Sequence, residues 1–69
     1  SPKEFIPPTS EDLDYLLDLA KQGFIDRLIK EVDRIEASDD RYQPFCTNLR
    51  QLAQEFKLKQ IRALLQFYI

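Results

Sequence analysis

The stretch YQPFCTNLRQLAQEF, residues 42–56, decides the fold of this chain. Its apolar residues recur every three or four positions, which is the spacing of one face of an α-helix. Pro44 lies near the predicted first turn, where a proline costs little because the N–H groups there have no intrahelical partner. We expect Asp40 to cap this helix, with Gln43 as its capping-box partner. The stretch predicts a helix over residues 41–56. Its apolar face is predicted to consist of Tyr42, Phe45, Leu49, Leu52, Ala53 and Phe56.

The apolar pattern changes phase after Phe56. The next apolar residues are Leu58, Ile61, Leu64, Leu65 and Tyr68. They form a consistent helical face of their own, but one straight helix would spread the two faces around its circumference. We therefore predict a bend or short turn near residues 56–58 and a further helix over residues 58–68.

Two helices are predicted before this stretch. Thr9 and Asp12 form a start similar to a capping box, and Gly23 is suited to the left-handed conformation that ends many helices. These signals predict a first helix over residues 10–22. A second helix over residues 24–37 follows almost at once. Its apolar stripe is predicted to consist of Phe24, Ile25, Leu28, Ile29, Val32 and Ile35.

The four predicted helices indicate an all-α fold, a compact four-helix domain made of two helical hairpins. Short connections place successive helices roughly antiparallel. Residues 1–8 are interpreted as a Pro-rich linker, in which Phe5 and Ile6 are suited to pack back on the domain, and residues 9–69 as the domain. Inspection finds no convincing internal repeat. The chain is expected to be a piece of a larger multidomain protein.

The charges are divided between the two halves of the chain. Residues 1–40 contain eleven acidic and five basic residues, whereas residues 41–69 contain five basic residues and a single acid, Glu55. One interpretation is that the halves attract each other within an antiparallel bundle. The other is that the basic half faces an acidic partner. The sequence leaves both open.

Residues able to carry out catalysis are scarce. The chain contains no histidine and one cysteine, Cys46. A buried free cysteine acts as a small hydrophobic residue, and an activated one needs a neighbouring base or cation. We expect Cys46 to be structural, with a redox-sensitive thiol as the alternative. The acids do not have the spacing of a calcium loop, and one glycine cannot form a phosphate-binding loop. We therefore expect no enzymatic activity, no cofactor and no metal for this chain.

The remaining candidates form an interaction surface. Basic residues surround the junction of the last two helices, and the final ALLQFYI is more apolar than one buried helical face requires, so this helix is buried on two sides or offers a patch to a partner. The candidate residues are Arg50, Lys57, Lys59, Arg62, Phe67 and Ile69. DNA binding through residues 50–62 is an alternative, although the isoelectric point of about 5.0 lies far below that of typical nucleic-acid binders.

The pattern of these residues resembles the C-terminal segments of bacterial, chiefly cyanobacterial, hybrid sensor histidine kinases and related response regulators. The matching elements are LA..G at Leu19, Y.PF...L..LA..F at residues 42–56, and K.IR..L beginning at Lys59. The resemblance implies a cytoplasmic parent that phosphorylates a histidine with ATP and passes the phosphoryl group to a receiver aspartate. It brings no active-site residue to this segment. The implied role is docking onto a neighbouring domain or a second copy, without membrane insertion.

Overall fold

Residues 5–69 are described by the structure, a computed structural model, and over this range the chain forms four α-helices and no strand. The helices are α1, Ser10–Gln22; α2, Ile25–Ser38; α3, Gln43–Gln54; and α4, Leu58–Tyr68, with a single 3-10 turn, Asp40–Tyr42, between α2 and α3. The prediction of an all-α four-helix domain is confirmed. None of these helices is both long enough and apolar enough to span a membrane.

The observed helix limits differ from the predicted ones mainly at α3. The predicted bounds of α1 and α4 are met, and α2 is displaced by one residue. α3 is shorter than residues 41–56 at both ends, because the 3-10 turn precedes it and the chain leaves the helix after Gln54. The predicted cap of α3 at Asp40 is wrong: Asp39 caps the 3-10 turn by accepting a hydrogen bond from the N–H of Arg41 at 2.9 Å, and no side chain of the described residues caps α3 itself. Pro44 does lie in the first turn of α3.

The segment before α1 packs on the domain. Thr9 caps α1, since its Oγ1 accepts a hydrogen bond from the N–H of Asp12 at 3.2 Å. Phe5 contacts Phe45 edge to face, with 6.2 Å between ring centroids, whereas Ile6 is exposed. Phe5 therefore packs back on the domain as predicted and Ile6 does not. Residues 1–4 of the predicted linker lie outside the described residues.

The core is assembled from all four helices, and α1 packs most extensively against α4 and α2 against α3. No polar or charged residue is buried between residues 5 and 69. The buried residues that form the hydrophobic core are Leu13, Leu16, Leu19, Ala20, Leu28, Val32, Ile35, Phe45, Cys46, Leu49, Ala53, Ile61 and Leu65. Within this apolar core the stabilisation comes from burial, at roughly 25 cal/mol per Å² of apolar surface removed from water.

α1 ends in a left-handed glycine. Gly23 has φ 78°, and its N–H donates to the carbonyl of Ala20 at 3.1 Å. The N–H of Phe24 donates to the carbonyl of Leu19 at 3.0 Å. This pair of bonds is the Schellman motif, which satisfies carbonyls at the helix end and turns the chain sharply. α2 begins at the next residue, so the turn of the first hairpin is very short.

α3 ends in the same motif, but with a phenylalanine in the left-handed position. Phe56 has φ 57°, and its N–H donates to the carbonyl of Ala53 at 3.0 Å. The N–H of Lys57 donates to the carbonyl of Leu52, also at 3.0 Å. Each of these residues stands 33 positions after its counterpart in the first hairpin, as Phe56 does after Gly23. The two hairpins are thus built around equivalent turns.

The two left-handed positions make a matched prediction about stability. A residue with a Cβ pays about 1–2 kcal/mol in this conformation, and glycine avoids that cost. Gly23→Ala should therefore destabilise the domain by about 1 kcal/mol, although no atom lies within 4 Å of the added methyl group. Phe56→Gly should leave the free energy of unfolding unchanged or raise it by up to about 1 kcal/mol, because the Phe56 side chain is 72% exposed.

Urea unfolding followed by circular dichroism measures both effects. A loss of more than about 1 kcal/mol in Phe56→Gly, comparable with a core truncation, would contradict this account, since it would mean that the exposed ring contributes to the core.

Candidate docking surfaces at the two ends of the bundle

The connections between helices define two ends of the molecule. The α1–α2 turn and the α3–α4 turn lie together, since Phe24 and Phe56 line the same groove. We call this the turn end, residues 21–27 and 55–59. The opposite end holds the start of α1, the 3-10 turn and the end of α4, and we call it the terminus end, residues 9–14, 39–42 and 66–69. The antiparallel order follows from short connections between consecutive helices.

The turn end carries an open groove of about 600 Å³. Apolar side chains from both hairpins line it, namely Phe24, Ile25, Phe56 and Leu58, together with Gly23, Asp26 and Arg27. The guanidinium of Arg27 lies 5.1 Å from the centroid of the Phe24 ring, within the range of a cation–π contact. A groove with an apolar floor and a few charged groups at its edge is suited to binding a side chain of another molecule.

Two aromatic residues in this groove are exposed although neither position requires an aromatic ring. Phe24 is 43% exposed and Phe56 is 72% exposed. Both were predicted to belong to buried stripes, Phe24 with the second helix and Phe56 with the third, and both predictions are wrong. Each residue follows the last turn of a helix, where the chain is already turning away from the core. The sequence signal that indicates a turn at both places is the similarity of LA..GF at residues 19–24 to LA..FK at residues 52–57.

The terminus end carries a second exposed apolar group. Phe67 is 79% exposed and Ile69 is 62% exposed. Phe67 contacts Tyr68 edge to face at 5.0 Å, and Tyr68 contacts the buried ring of Phe45 at 5.8 Å. A row of aromatic rings thus leads from the core to the surface. Of the two alternatives predicted for α4, burial on two sides is not seen within the domain, since Phe67 and Ile69 face solvent.

Arg50, in the basic half of the chain, binds two carboxylates of the acidic half. Its Nη2 donates to Asp33 Oδ1 at 2.7 Å and also to a carboxylate oxygen of Glu36. The hydrogen bond to Glu36 is the main reason that the pKa of Arg50 is raised. Sequence reasoning placed Arg50 on an interaction surface, whereas the structure uses it to join α3 to α2. This contact favours the interpretation that the two halves attract each other.

The other predicted basic residues are more available. Lys57 Nζ lies 3.1 Å from Glu55 Oε1, and this hydrogen bond lowers the pKa of Glu55. Lys59 is exposed and Arg62 is half-buried. Neither Lys59 nor Arg62 makes an ion pair with any residue between 5 and 69. The six predicted residues therefore do not form one surface: Lys57 and Lys59 lie at the turn end, and Phe67 and Ile69 at the opposite end.

Cys46 is fully buried in the core, as predicted. Burial, and after it the nearby negative charge of Glu36, raises its pKa to about 11. A thiol with so high a pKa is almost entirely protonated at neutral pH and is a poor nucleophile. Within the described part of the chain, no group of three His, Cys, Asp or Glu side chains is arranged to hold a metal ion.

No protein-family model, no curated protein and no solved structure matches this chain.

The burial of Cys46 predicts slow reaction with thiol reagents. In the native protein, 5,5′-dithiobis(2-nitrobenzoic acid) should react at pH 8 at least about 100-fold more slowly than it does with the same chain in 6 M guanidinium, because reaction requires opening of the core. Native-state reaction as fast as in denaturant would place the thiol at the surface.

The raised pKa of Cys46 also predicts a pH dependence with a defined sign. The unfolded thiol ionises near pH 8.5, while the folded thiol stays protonated up to a pKa of about 11. Its contribution to stability is therefore complete below the unfolded pKa and is lost as pH rises through this window. The stability difference between the wild-type chain and Cys46→Ala should shrink between pH 8 and pH 11. A difference that grows over this range would contradict the assignment.

The position of Arg50 predicts that it stabilises the fold. Arg50→Gln should cost about 1–2 kcal/mol, because two carboxylates lose a charged hydrogen-bond partner. Arg62→Gln is the matched control and should cost less than about 0.5 kcal/mol. The difference in the free energy of unfolding between the two variants should narrow in 1 M NaCl, since salt screens exposed charges. Equal effects of the two substitutions in urea unfolding would show that the Arg50 contacts do not hold α2 and α3 together.

Proposed function

We propose that this chain is a non-catalytic helical docking module of a cytoplasmic two-component signalling protein, a hybrid sensor histidine kinase or a related response regulator. In this proposal it binds a neighbouring domain of the same protein or a second copy of itself. The parent protein carries out the phosphoryl transfer, and this module brings the domains together. The resemblance of residues 19–65 to segments of such proteins supports the signalling context.

The observation that carries the docking role is Phe56. A left-handed residue at the end of a helix is ordinarily glycine or asparagine, and the equivalent position of the first hairpin is Gly23. Phe56 instead adopts a strained conformation and exposes most of a large apolar ring to water. Strain at such a position is typical of functional surfaces. A partner that covers this ring gives a physical reason for its presence.

The alternative role, an independent adaptor or a DNA-binding domain that uses residues 50–62, finds less support. Arg50 is engaged with Asp33 and Glu36, and Lys57 with Glu55. Lys59 and Arg62 then remain as the basic residues of this region that have no ion pair within the described range. Two cations on an acidic domain make a weak phosphate-binding surface, because nonspecific affinity for DNA depends on the number of phosphates neutralised.

A nuclear magnetic resonance titration tests the docking role. The reading frame that encodes this chain should also encode a histidine kinase core or a receiver domain. When that domain is added to the isotope-labelled chain, we expect amide shift changes at the residues that line the groove of the turn end or at Phe67 and Ile69. Phe56→Asp or Phe67→Lys should weaken the binding at least tenfold. Tyr15→Ser, which removes an exposed ring from the middle of α1, should leave it unchanged.

Two results would contradict the proposal. One is the absence of shift changes with every kinase core or receiver domain of the same protein. The other is binding of duplex DNA at physiological salt that weakens steeply as salt rises, which would support the DNA-binding alternative.

A further inference from the structure

Among the described residues, the two ends of the bundle carry unpaired charges of opposite sign. At the turn end, Lys21, Arg27 and Lys59 are exposed and make no ion pair with residues 5–69, against one such acid, Asp26. This end therefore has a net positive charge. The groove between Phe24 and Phe56 lies at this end, and Arg27 is one of the residues that line it.

The terminus end has the opposite charge. Glu11, Asp14 and Asp40 are exposed there, and no basic residue in the described part of the chain pairs with them. The two arginines nearby are already neutralised: Arg34 binds Asp12 and Glu31, and Arg41 binds Asp39.

Exposed apolar groups accompany the charges at both ends. At the terminus end they are Phe67, in the last turn of α4, and Ile69, directly after it, and both are mostly exposed. At the turn end they line a concave groove of about 600 Å³. One end thus offers an acidic surface with exposed apolar side chains, and the other offers a basic surface with an apolar groove.

We propose that the chain assembles head to tail with copies of itself, Phe67 and Ile69 of one copy occupying the groove between Phe24 and Phe56 of the next. The acidic residues around Phe67 then face the basic residues around the groove. The contact joins two different surfaces, so each copy in a chain still offers one free groove and one free α4 end. This inference rests on the proposed docking function and names a second copy as the partner.

The charge arrangement favours a head-to-tail contact between two copies over a symmetric pairing of like ends. Two turn ends would place Lys21, Arg27 and Lys59 against the same cations, and two terminus ends would place acids against acids. Like charges in contact disfavour an interface, whereas opposite potentials favour it and set its orientation. Because two small patches form a small interface, the contact should be weak and dependent on concentration.

A mixing experiment with single-end variants tests this arrangement. Phe56→Asp places an acid in the groove at a position whose left-handed conformation aspartate tolerates. Phe67→Lys places a cation on the acidic end, in the last turn of α4, where the helix dipole favours it. Each variant keeps one functional end. Tyr15→Ser is the matched control with both ends intact.

Analytical ultracentrifugation between 10 μM and 1 mM should show the average mass of the wild-type chain and of Tyr15→Ser rising beyond that of a dimer. Either end variant alone should self-associate at least tenfold more weakly. An equimolar mixture of the two variants should form a 1:1 dimer and nothing larger, since one intact groove meets one intact α4 end. The self-association of the wild-type chain should weaken as NaCl is raised from 0.05 M to 0.5 M, because salt screens the opposite charges of the two ends.

Three results would overturn the head-to-tail contact. The first is a mixture of the two variants that remains monomeric while the wild-type chain associates. The second is a single-end variant that still dimerises fully, which indicates a symmetric contact through one end. The third is a wild-type chain that is monomeric at 1 mM. A monomeric chain that still binds the kinase core or receiver domain would overturn this contact alone and leave the proposed docking function standing.

Discussion

Two left-handed residues control the shape of this molecule. Gly23 and Phe56 each end a helix in a Schellman motif, with equivalent hydrogen bonds of 3.0–3.1 Å back to the preceding turn. The motif reverses the chain within two residues, so each helix packs against the one that follows it. Both reversals occur at the same end of the bundle, and this brings the two hairpins side by side. The apolar core forms only because these two turns align the helical faces.

The same constraint creates the candidate site. A sharp turn exposes the residues that form it, and here two of them are phenylalanine. In a protein whose function ended with folding, polar residues and glycine would occupy these positions at no cost. The groove between the hairpins therefore results from the turn geometry, and its lining is largely apolar because of the residues at these turns. Apolar surface at both ends of a molecule with an otherwise closed core is consistent with a role in assembly.

Electrostatics serves the fold and the surface in different ways. Arg50, which looked available in the sequence, is used internally against Asp33 and Glu36. Such internal pairing neutralises part of the charge on the sides of the bundle, while the described residues at one end include unpaired cations and those at the other include unpaired acids. The charge difference between the two ends is a property of the fold rather than of the two halves of the sequence, since Lys21 and Arg27 of the turn end come from the acidic half. A contact between the ends would use the same attraction that Arg50 uses within the domain.

The sequence by itself determined the number, order and approximate limits of the helices, because helical periodicity and capping are local properties of the chain. Burial of Phe45 and Cys46 followed from the same periodicity. Only the tertiary structure decided which apolar residues face solvent. Phe24 and Phe56 fit helical stripes in the sequence, but both lie in the turns between helices. It also decided that Arg50 is engaged, since its partners are 17 and 14 residues away. Contacts between distant segments depend on how the hairpins pack, and no local pattern encodes that packing directly.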